Sequence, residues 1–431
     1  MSEDLWGSLM ADGLRGVIPR RALELAEESL SSFRVVVVHG ARQTGKTTLA
    51  RQLAGRLGAA YVTLDRGEDR DAAQRDPRTY LSELGTPLAI DEVQRVGEPL
   101  VLAIKEVVDN DNRPGQFLLT GSSNFLTVPS IAETLAGRVD LLTLWPLSMG
   151  ELTGGSDDFV DRALSDPAAL IHYDRPTLDR QTYFEYLCAG GYPEVQRFAG
   201  RSRGRWFRQY VRTVLQREVQ VAADIRRADE LLNMVHLFAA TTSRELVMST
   251  VANRLGLDRV TASTYQPWLE TTFLVHRLPA WSRNLSARVV KRPKLYMSDT
   301  GVAAGLLGKD ATALRRPTDP AAGAMFETFV VNELAKQLTW SNTLARMFHF
   351  RESGGTEVDI VLETADGRVL GIEVKASSTP REEDFRGLSY LRDRLERCGD
   401  SFVGGIVLHT GERRLSFGDR LWALPASDIW G

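Results

Sequence analysis

Apolar positions in the first third of the chain fall into short blocks separated by turn residues. Arg34-Val-Val-Val-Val-His39 is a β-branched run closed by Gly40, the pattern of a strand buried on both faces. Similar runs follow at Ala59 to Asp65, Pro87 to Asp91, Gln116 to Thr120 and Val139 to Trp145. Helical spacing alternates with them, as in Thr47 to Leu57 and Glu98 to Asp109. Strands alternating with helices predict a parallel sheet covered on both faces, and this first domain runs to about residue 152.

The pattern then changes. Residues 153–178 are rich in Gly, Asp and Pro and read as a linker. Tyr183 to Arg227 reads as helix, broken at Gly190-Gly191-Tyr192-Pro193. Between about 229 and 280 the spacing predicts three helices and a strand. Val251 to Leu257, a Gly256 turn and an Asp258-capped second helix give a helix-turn-helix pattern, with Phe273 to Leu278 as the strand of a wing. The last domain starts near Thr318. A helix over Met325 to Leu334 precedes strands at 346–351, 357–363 and 368–375, the last two joined by an Asp366-Gly367 turn.

Composition narrows the class. The chain has 431 residues, 25% charged and 43% hydrophobic, with a formal net charge of −3. Such a length suggests several domains with cores of their own, and the composition excludes a disordered or collagen-like chain. No apolar stretch nears the ~20 residues needed to cross a bilayer, so no membrane partner is expected. The start, Met1-Ser2-Glu3-Asp4-Leu5-Trp6, carries no basic leader before an apolar run, and Cys188 and Cys398 have no metal-like spacing. Both features lead us to expect a cytoplasmic protein. Basic residues comprise 46 Arg and only seven Lys, so a lysine inside a motif carries more weight than an arginine.

Candidate chemistry begins at Gly40-Ala41-Arg42-Gln43-Thr44-Gly45-Lys46-Thr47-Thr48, a full P-loop pattern placed after a buried strand and before a helix. Its backbone N–H groups suit phosphate oxygens, Lys46 the β/γ-phosphates and Thr47 a Mg²⁺ ion, so ATP and Mg²⁺ are the expected cofactors. Leu88-Ala89-Ile90-Asp91-Glu92 supplies Asp91 for the Mg²⁺ shell and Glu92 to polarise an attacking water, which favours hydrolysis over transfer to a substrate. Thr120 or Ser122, at the end of the neighbouring strand, either senses the γ-phosphate or serves as an ordinary cap. Arg138 is either an arginine finger at a subunit interface or one more surface arginine.

A second constellation lies near the C-terminus, in Glu357-Val358-Asp359 and Glu373-Val374-Lys375. Strand alternation puts Glu373 and Lys375 on one face, and the hairpin brings Asp359 beside them; Glu327 on the preceding helix completes the set. Two or three carboxylates with a lysine make a hard-cation site suited to metal-assisted phosphodiester hydrolysis. The plain alternative is a cross-strand salt bridge.

Taken together, Gly40 to Leu147, Gly190-Gly191-Tyr192-Pro193-Glu194, Leu269-Glu270 and Pro293-Lys294-Leu295-Tyr296-Met297-Ser298-Asp299 resemble prokaryotic AAA-type P-loop ATPases fused to a C-terminal domain of unknown function. The resemblance covers nearly the whole chain. It implies an α/β multidomain protein with a P-loop parallel-sheet ATPase over 1–152, a linker and helical lid over 153–228, a winged-helix-like domain over 229–317 and a restriction-endonuclease-like domain over 318–431. It also implies the nucleotide roles of Lys46, Thr47, Asp91 and Glu92, and a nuclease-like set of Glu327, Asp359, Glu373 and Lys375. Val358 stands where the nuclease pattern has Pro.

DNA is the expected partner, the plain alternatives being a solvated arginine face in an arginine-biased chain and a winged helix that serves as a protein-contact module. Arg201, Arg203, Arg205, Arg208, Arg212, Arg217, Arg226 and Arg227 crowd one stretch with Trp206, Phe207 and Tyr210 interleaved, and Arg259, Thr261, Ser263, Thr264 and Gln266 dot the second helix of the helix-turn-helix. The leading expectation is a homo-oligomeric ATPase, in a ring or partial ring, that remodels or translocates on branched or broken DNA, with or without metal-dependent cleavage. The alternative is a nucleotide-dependent switch that binds protein partners and carries an inactive nuclease-like domain.

Overall fold

A computed structural model describes residues 17–121, 135–173, 175–221, 228–284, 286, 288, 291–352, 354–397, 399 and 401–431. The chain forms two compact units. The first comprises residues 1–147 with Tyr192–Arg197 and Thr271–Phe273, and the second holds the remainder.

In the first unit, β1 (Val35–His39), β2 (Ala60–Thr63), β3 (Leu88–Asp91), β4 (Phe117–Gly121) and β5 (Val139–Thr143) form a parallel sheet in the order β2-β3-β4-β1-β5. Every expected strand is there. β1 is fully buried from Val35 to Val38 because helices cover both faces. On one side lie α1 (Ala22–Ser32) and α2 (Lys46–Leu57), which supply Leu23, Ala26, Leu30, Leu49, Ala50 and Leu53 to the core. On the other, α3 (Glu98–Asn110) brings Leu100, Ile104 and Val108, one face of a helix at a spacing of four. The sheet order sets the strand carrying Asp91 next to the one carrying Thr120, both ending at the same edge as the loop after β1. This is the parallel-sheet P-loop ATPase fold.

The second unit mixes helices with two sheets. The stretch 153–178, expected as a linker, is instead packed: a short helix over Phe159–Ser165 buries Phe159, Val160, Ala163 and Leu164. Its polar residues mislead because the apolar ones are few, although those of the short helix all face inward. Next come α4 (Arg180–Ala189) and α5 (Gly200–Val221), separated by the expected Gly-Gly-Tyr-Pro break. Buried Asp299 fixes that break, accepting from Gly191 N at 2.7 Å while also capping α9 (Thr300–Leu307) through Val302 N at 2.9 Å.

Between α5 and α9 in sequence, α6 (Ala228–Ala240), α7 (Met248–Leu255) and α8 (Arg259–Thr271) pack with an antiparallel sheet ordered β6-β8-β7. Its strands are β6 (Arg244–Glu245), β7 (Val275–Leu278) and β8 (Lys294–Met297). Asp258 caps α8 through Thr261 N at 2.9 Å, as its sequence suggests. The connection from β7 to β8 is tied down onto the next sheet. Trp281 N donates to His349 O at 2.6 Å, His349 N donates to Pro279 O at 2.9 Å, and Arg288 and Trp281 both reach the Glu363 carboxylate.

The last sheet runs β13-β14-β12-β11-β10-β9, from β9 (Ala345–Arg351), β10 (Glu357–Thr364), β11 (Val369–Lys375), β12 (Phe402–His409), β13 (Leu415–Ser416) and β14 (Leu421–Pro425). Strands β9, β10 and β11 pair antiparallel as a meander, and β11, β12 and β14 are parallel. Helices α10 (Ala322–Gln337) and α11 (Arg386–Glu396) belong to the same region, α11 burying Leu388, Leu391 and Leu395. No helix among the described residues is long and apolar enough to cross a membrane.

Candidate nucleotide site and C-terminal charge cluster

The loop after β1 has the backbone a phosphate cradle requires. Gly40 has φ +155°, and a Cβ there would lie 2.3 Å from Leu144 O, so no side chain fits. Gly45, at φ +98°, turns the chain into α2. Gln43 holds a left-handed φ of 63°, a strained value for a residue with a side chain. Thr44 closes the loop by donating to Ala41 O at 2.9 Å, and Arg20 staples it from outside, donating to Thr44 O at 2.6 Å and Trp145 O at 2.7 Å. Arg42 is half-buried and Thr48 exposed.

Lys46 is folded back into this loop, its Nζ donating to Gly40 O at 2.9 Å and Ala41 O at 2.7 Å. Burial pulls its pKa down to about 8, against the upward pull of Glu92 and Asp91. Burial, with the Lys46 charge adding, also holds His39 near 4, so that ring is neutral at pH 7. A phosphate arriving here would meet an ammonium already aimed into the loop.

Asp91 gathers the second half of the site. Its carboxylate accepts from Thr47 Oγ1 at 3.0 and 3.2 Å, from Tyr61 OH at 3.0 Å and from Thr120 Oγ1 at 2.5 Å. Thr120 Oγ1 in turn accepts from Glu92 N at 3.1 Å, and Glu92 sits at φ 59° with its carboxylate bonded to Gln94 Nε2. Thr120 thus touches both Asp91, the carboxylate expected at Mg²⁺, and Glu92, the residue expected to orient water. Ser122, its sequence alternative, lies outside the described residues.

Arg138 immediately precedes β5, at the end of the sheet opposite the P-loop, and is ion-paired to Asp109, which Lys105 also holds at 3.0 Å. It does not reach the P-loop of its own chain.

The C-terminal residues also assemble, but around a partner the sequence reading left out. Lys294 Nζ, on β8, lies 2.9 Å from Glu327 Oε1, 2.6 Å from Glu357 Oε1 and 3.3 Å from Asp359 Oδ1. Tyr296 OH donates to Glu327 Oε1 at 2.7 Å. Asp359 Oδ2 accepts from Val374 N at 3.0 Å, and Glu373 pairs with Lys375 at 2.8 Å while accepting from Asp359 N at 3.3 Å. Burial pushes the Glu327 and Glu373 carboxyls up, with Asp359 adding to the push. Burial would depress the Lys294 ammonium, but Glu327, Asp359 and Glu357 outweigh it and raise it. The expectation of a hard-cation site at Glu327, Asp359, Glu373 and Lys375 therefore meets a correction. The four are neighbours, but the Lys294 ammonium lies against Glu327 and Asp359 while Lys375 holds Glu373, and among the described residues no group of three or more His, Cys, Asp or Glu is placed to hold a metal ion.

Two nucleic-acid expectations change as well. Phe207 and Tyr210 on α5 are buried, with Trp206 stacked on Tyr210 at 5.0 Å, so these aromatics pack inward. Gly305 on α9 makes room for Phe207, whose Cβ a side chain there would meet at 2.7 Å. Gln266 is buried, and Thr261 and Thr264 bond locally to Asp258 and to Val260 O. What remains exposed on α5 is Arg201, Arg205, Arg208 and Arg212, at i, i+4, i+7 and i+11 on one face. None of the four makes an ion pair among the described residues; Arg208 donates to Gly305 O at 3.4 Å. The side chain of Arg217, and Arg226 and Arg227 entirely, lie outside the described residues, as does Cys398.

An AAA domain model matches residues 32–153, a domain of unknown function (DUF8612) residues 180–313, and another (DUF4143) residues 322–429. The uncharacterized protein Rv2008c of Mycobacterium tuberculosis is 30% identical over 420 residues, covering 95% of this chain and 84% of that one; Mb2031c of Mycobacterium bovis matches equally. The chain belongs to their family. In this chain an AAA-type ATPase domain is joined to a C-terminal DUF4143. Among solved structures, the Walker-type ATPase PABY2304 of Pyrococcus abyssi is 15% identical, covering 68% of this chain and 96% of that one at a TM-score of 0.43. The Thermotoga maritima RuvB Holliday junction branch migration motor is 20% identical, covering 61% and 90% at a TM-score of 0.29.

The structure brings Lys46, Thr47, Asp91, Glu92 and Thr120, all named from the sequence, together with Arg20, Tyr61 and His39, which the sequence did not single out. Tyr61 and His39 sit in apolar strand runs whose polar members draw no notice, and Arg20 is one of 46 arginines. Lys294 did carry a signal, being one of the seven lysines and lying inside the Pro293-Lys294-Leu295-Tyr296-Met297-Ser298-Asp299 motif.

Proposed function

We propose that the protein binds Mg-ATP in the P-loop and hydrolyses it to drive remodelling or translocation on DNA. The convergence of Thr47, Thr120 and Asp91, with Glu92 bonded to Thr120 in the next position, carries the hydrolysis reading. These residues fit the cofactor: backbone N–H groups of 40–47 and Lys46 would hold the phosphates, and Thr47 and Asp91 the Mg²⁺. Bound there, Mg²⁺ would neutralise phosphate charge. Glu92 would accept a proton from the attacking water, Thr120 would hold Glu92 and Asp91 in register, and Arg138 of a neighbouring subunit would act as the finger of a ring or partial ring.

The exposed arginine stripe on α5, without an ion pair among the described residues, supports DNA as the anionic partner. It extends about 16 Å, at 1.5 Å per residue, which suits a row of phosphates. We read α6 to α8 with the β6-β8-β7 sheet as winged-helix-like and the region after residue 318 as restriction-endonuclease-like, within the four-part division given by the sequence, in a cytoplasmic protein. A second reading, a nucleotide-dependent switch for protein partners, draws support from the locally bonded side chains of α8.

ATP hydrolysis measured with single-stranded, duplex and four-way DNA at two salt concentrations tests the proposal. Stimulation by DNA that weakens with salt, and is lost in Lys46→Ala, is expected. ATP turnover indifferent to every DNA would leave the switch reading standing.

A further inference from the structure

The restriction-endonuclease-like reading implies a divalent metal among Glu327, Asp359 and Glu373, and the residues do not fit one. A lysine ammonium carries three N–H donors, and Lys294 has three carboxylates, one each from Glu327, Glu357 and Asp359, within 3.3 Å. Those N···O distances of 2.6–3.3 Å suit an ammonium. Mg²⁺ would draw the same oxygens in to about 2.0–2.1 Å, and Ca²⁺ to about 2.3–2.6 Å. Other lone pairs of the set are also engaged, by Tyr296 OH, Val374 N, Asp359 N and Lys375. Lys294 is only 3% exposed, so it is no passing surface contact.

The lysine comes from a different sheet. β8 belongs to the three-stranded sheet, Glu357 and Asp359 to the six-stranded one, and Glu327 to α10. An ammonium delivered from there neutralises carboxylates that would repel one another in a desolvated place.

We propose that Lys294 permanently fills the place of a catalytic metal, making the C-terminal cluster a lysine-closed site that takes up no divalent cation. The comparison with a metal site rests on the restriction-endonuclease-like reading; the closure rests on the contacts alone. The chain's chemistry then resides in the AAA domain, and the cluster joins two sheets.

The test uses Mn²⁺ as probe on the full chain without nucleotide, read by calorimetry. In the native protein, Asp359→Asn should leave Mn²⁺ uptake unchanged. Lys294→Met should bind one additional Mn²⁺ per chain, and Lys294→Met with Asp359→Asn should lose it again. Native uptake that disappears in Asp359→Asn overturns the proposal, because the metal then displaces the lysine. A folded Lys294→Met that gains nothing overturns it too. Should Lys294→Met not fold, the native and Asp359→Asn titrations still decide. Nicking of plasmid DNA by Mn²⁺-loaded Lys294→Met separates the two readings: uptake without nicking upholds the closed site and removes only the nuclease-like reading.

Discussion

Glu92 is held in a left-handed backbone conformation, with its N–H on Thr120 and its carboxylate on Gln94. A residue kept at a sparsely populated φ by its neighbours is oriented before any ligand arrives. If its carboxylate is the base, Glu92→Gln should keep ATP binding and lower turnover on the order of 10²–10⁴-fold. Nucleotide binding measured alongside steady-state hydrolysis checks this, and unchanged turnover would remove the role. The sequence made Glu92 visible because Asp-Glu ends an apolar strand. It could not reveal Thr120's choice of partners, which depends on β3 and β4 being neighbours.

At the scale of elements, α5 shows how composition misleads. Its arginines and aromatics alternate in sequence as if presented together, but helical spacing sends Phe207, Tyr210, Val211 and Val214 inward and Arg201, Arg205, Arg208 and Arg212 outward. If the outer stripe follows a DNA backbone, replacing Arg205 and Arg208 together by Ala should weaken binding. It should also reduce the slope of log K against log salt by about 1.4–1.8, roughly 0.7–0.9 for each of two lost phosphate contacts. Binding by the variant with an unaltered slope would place the DNA elsewhere. The five strands of the first sheet and the β9-β10-β11 meander are legible in sequence to within about two residues, since β-branched runs flanked by turns have few other uses, whereas β6, β8, β12, β13 and β14 are not among the expected strands. The packed helix over Phe159–Ser165 was not, because four apolar residues among Gly, Asp and Pro give too little periodicity. The Lys294 cluster was half legible: its carboxylates lie on a recognisable hairpin, while its cation comes from another sheet.

For the whole molecule, the informative residue is Arg138. In the single chain it is bound to Asp109, away from its own P-loop, so any part it takes in hydrolysis requires a second copy. Arg138→Ala should therefore lower ATPase activity on the order of 10³-fold in assembled protein, the low end of what arginine fingers contribute. At concentrations below assembly it should leave the residual rate unchanged. Activity measured across a dilution series, with mass measured in parallel, tests this; equal losses at every concentration would mark Arg138 as structural.

The connection from β7 to β8 has a consequence for inheritance. It is fastened to β9 by the Trp281–His349 bond and to β10 by Arg288 on Glu363, and Lys294 follows directly after it. A gene exchange breaking between residues 294 and 327 would part a lysine from its carboxylates and an arginine from its glutamate. Residues of both matched regions of unknown function are thus bound to diverge together, and a relative that changed one side alone would carry buried charge with no counterpart.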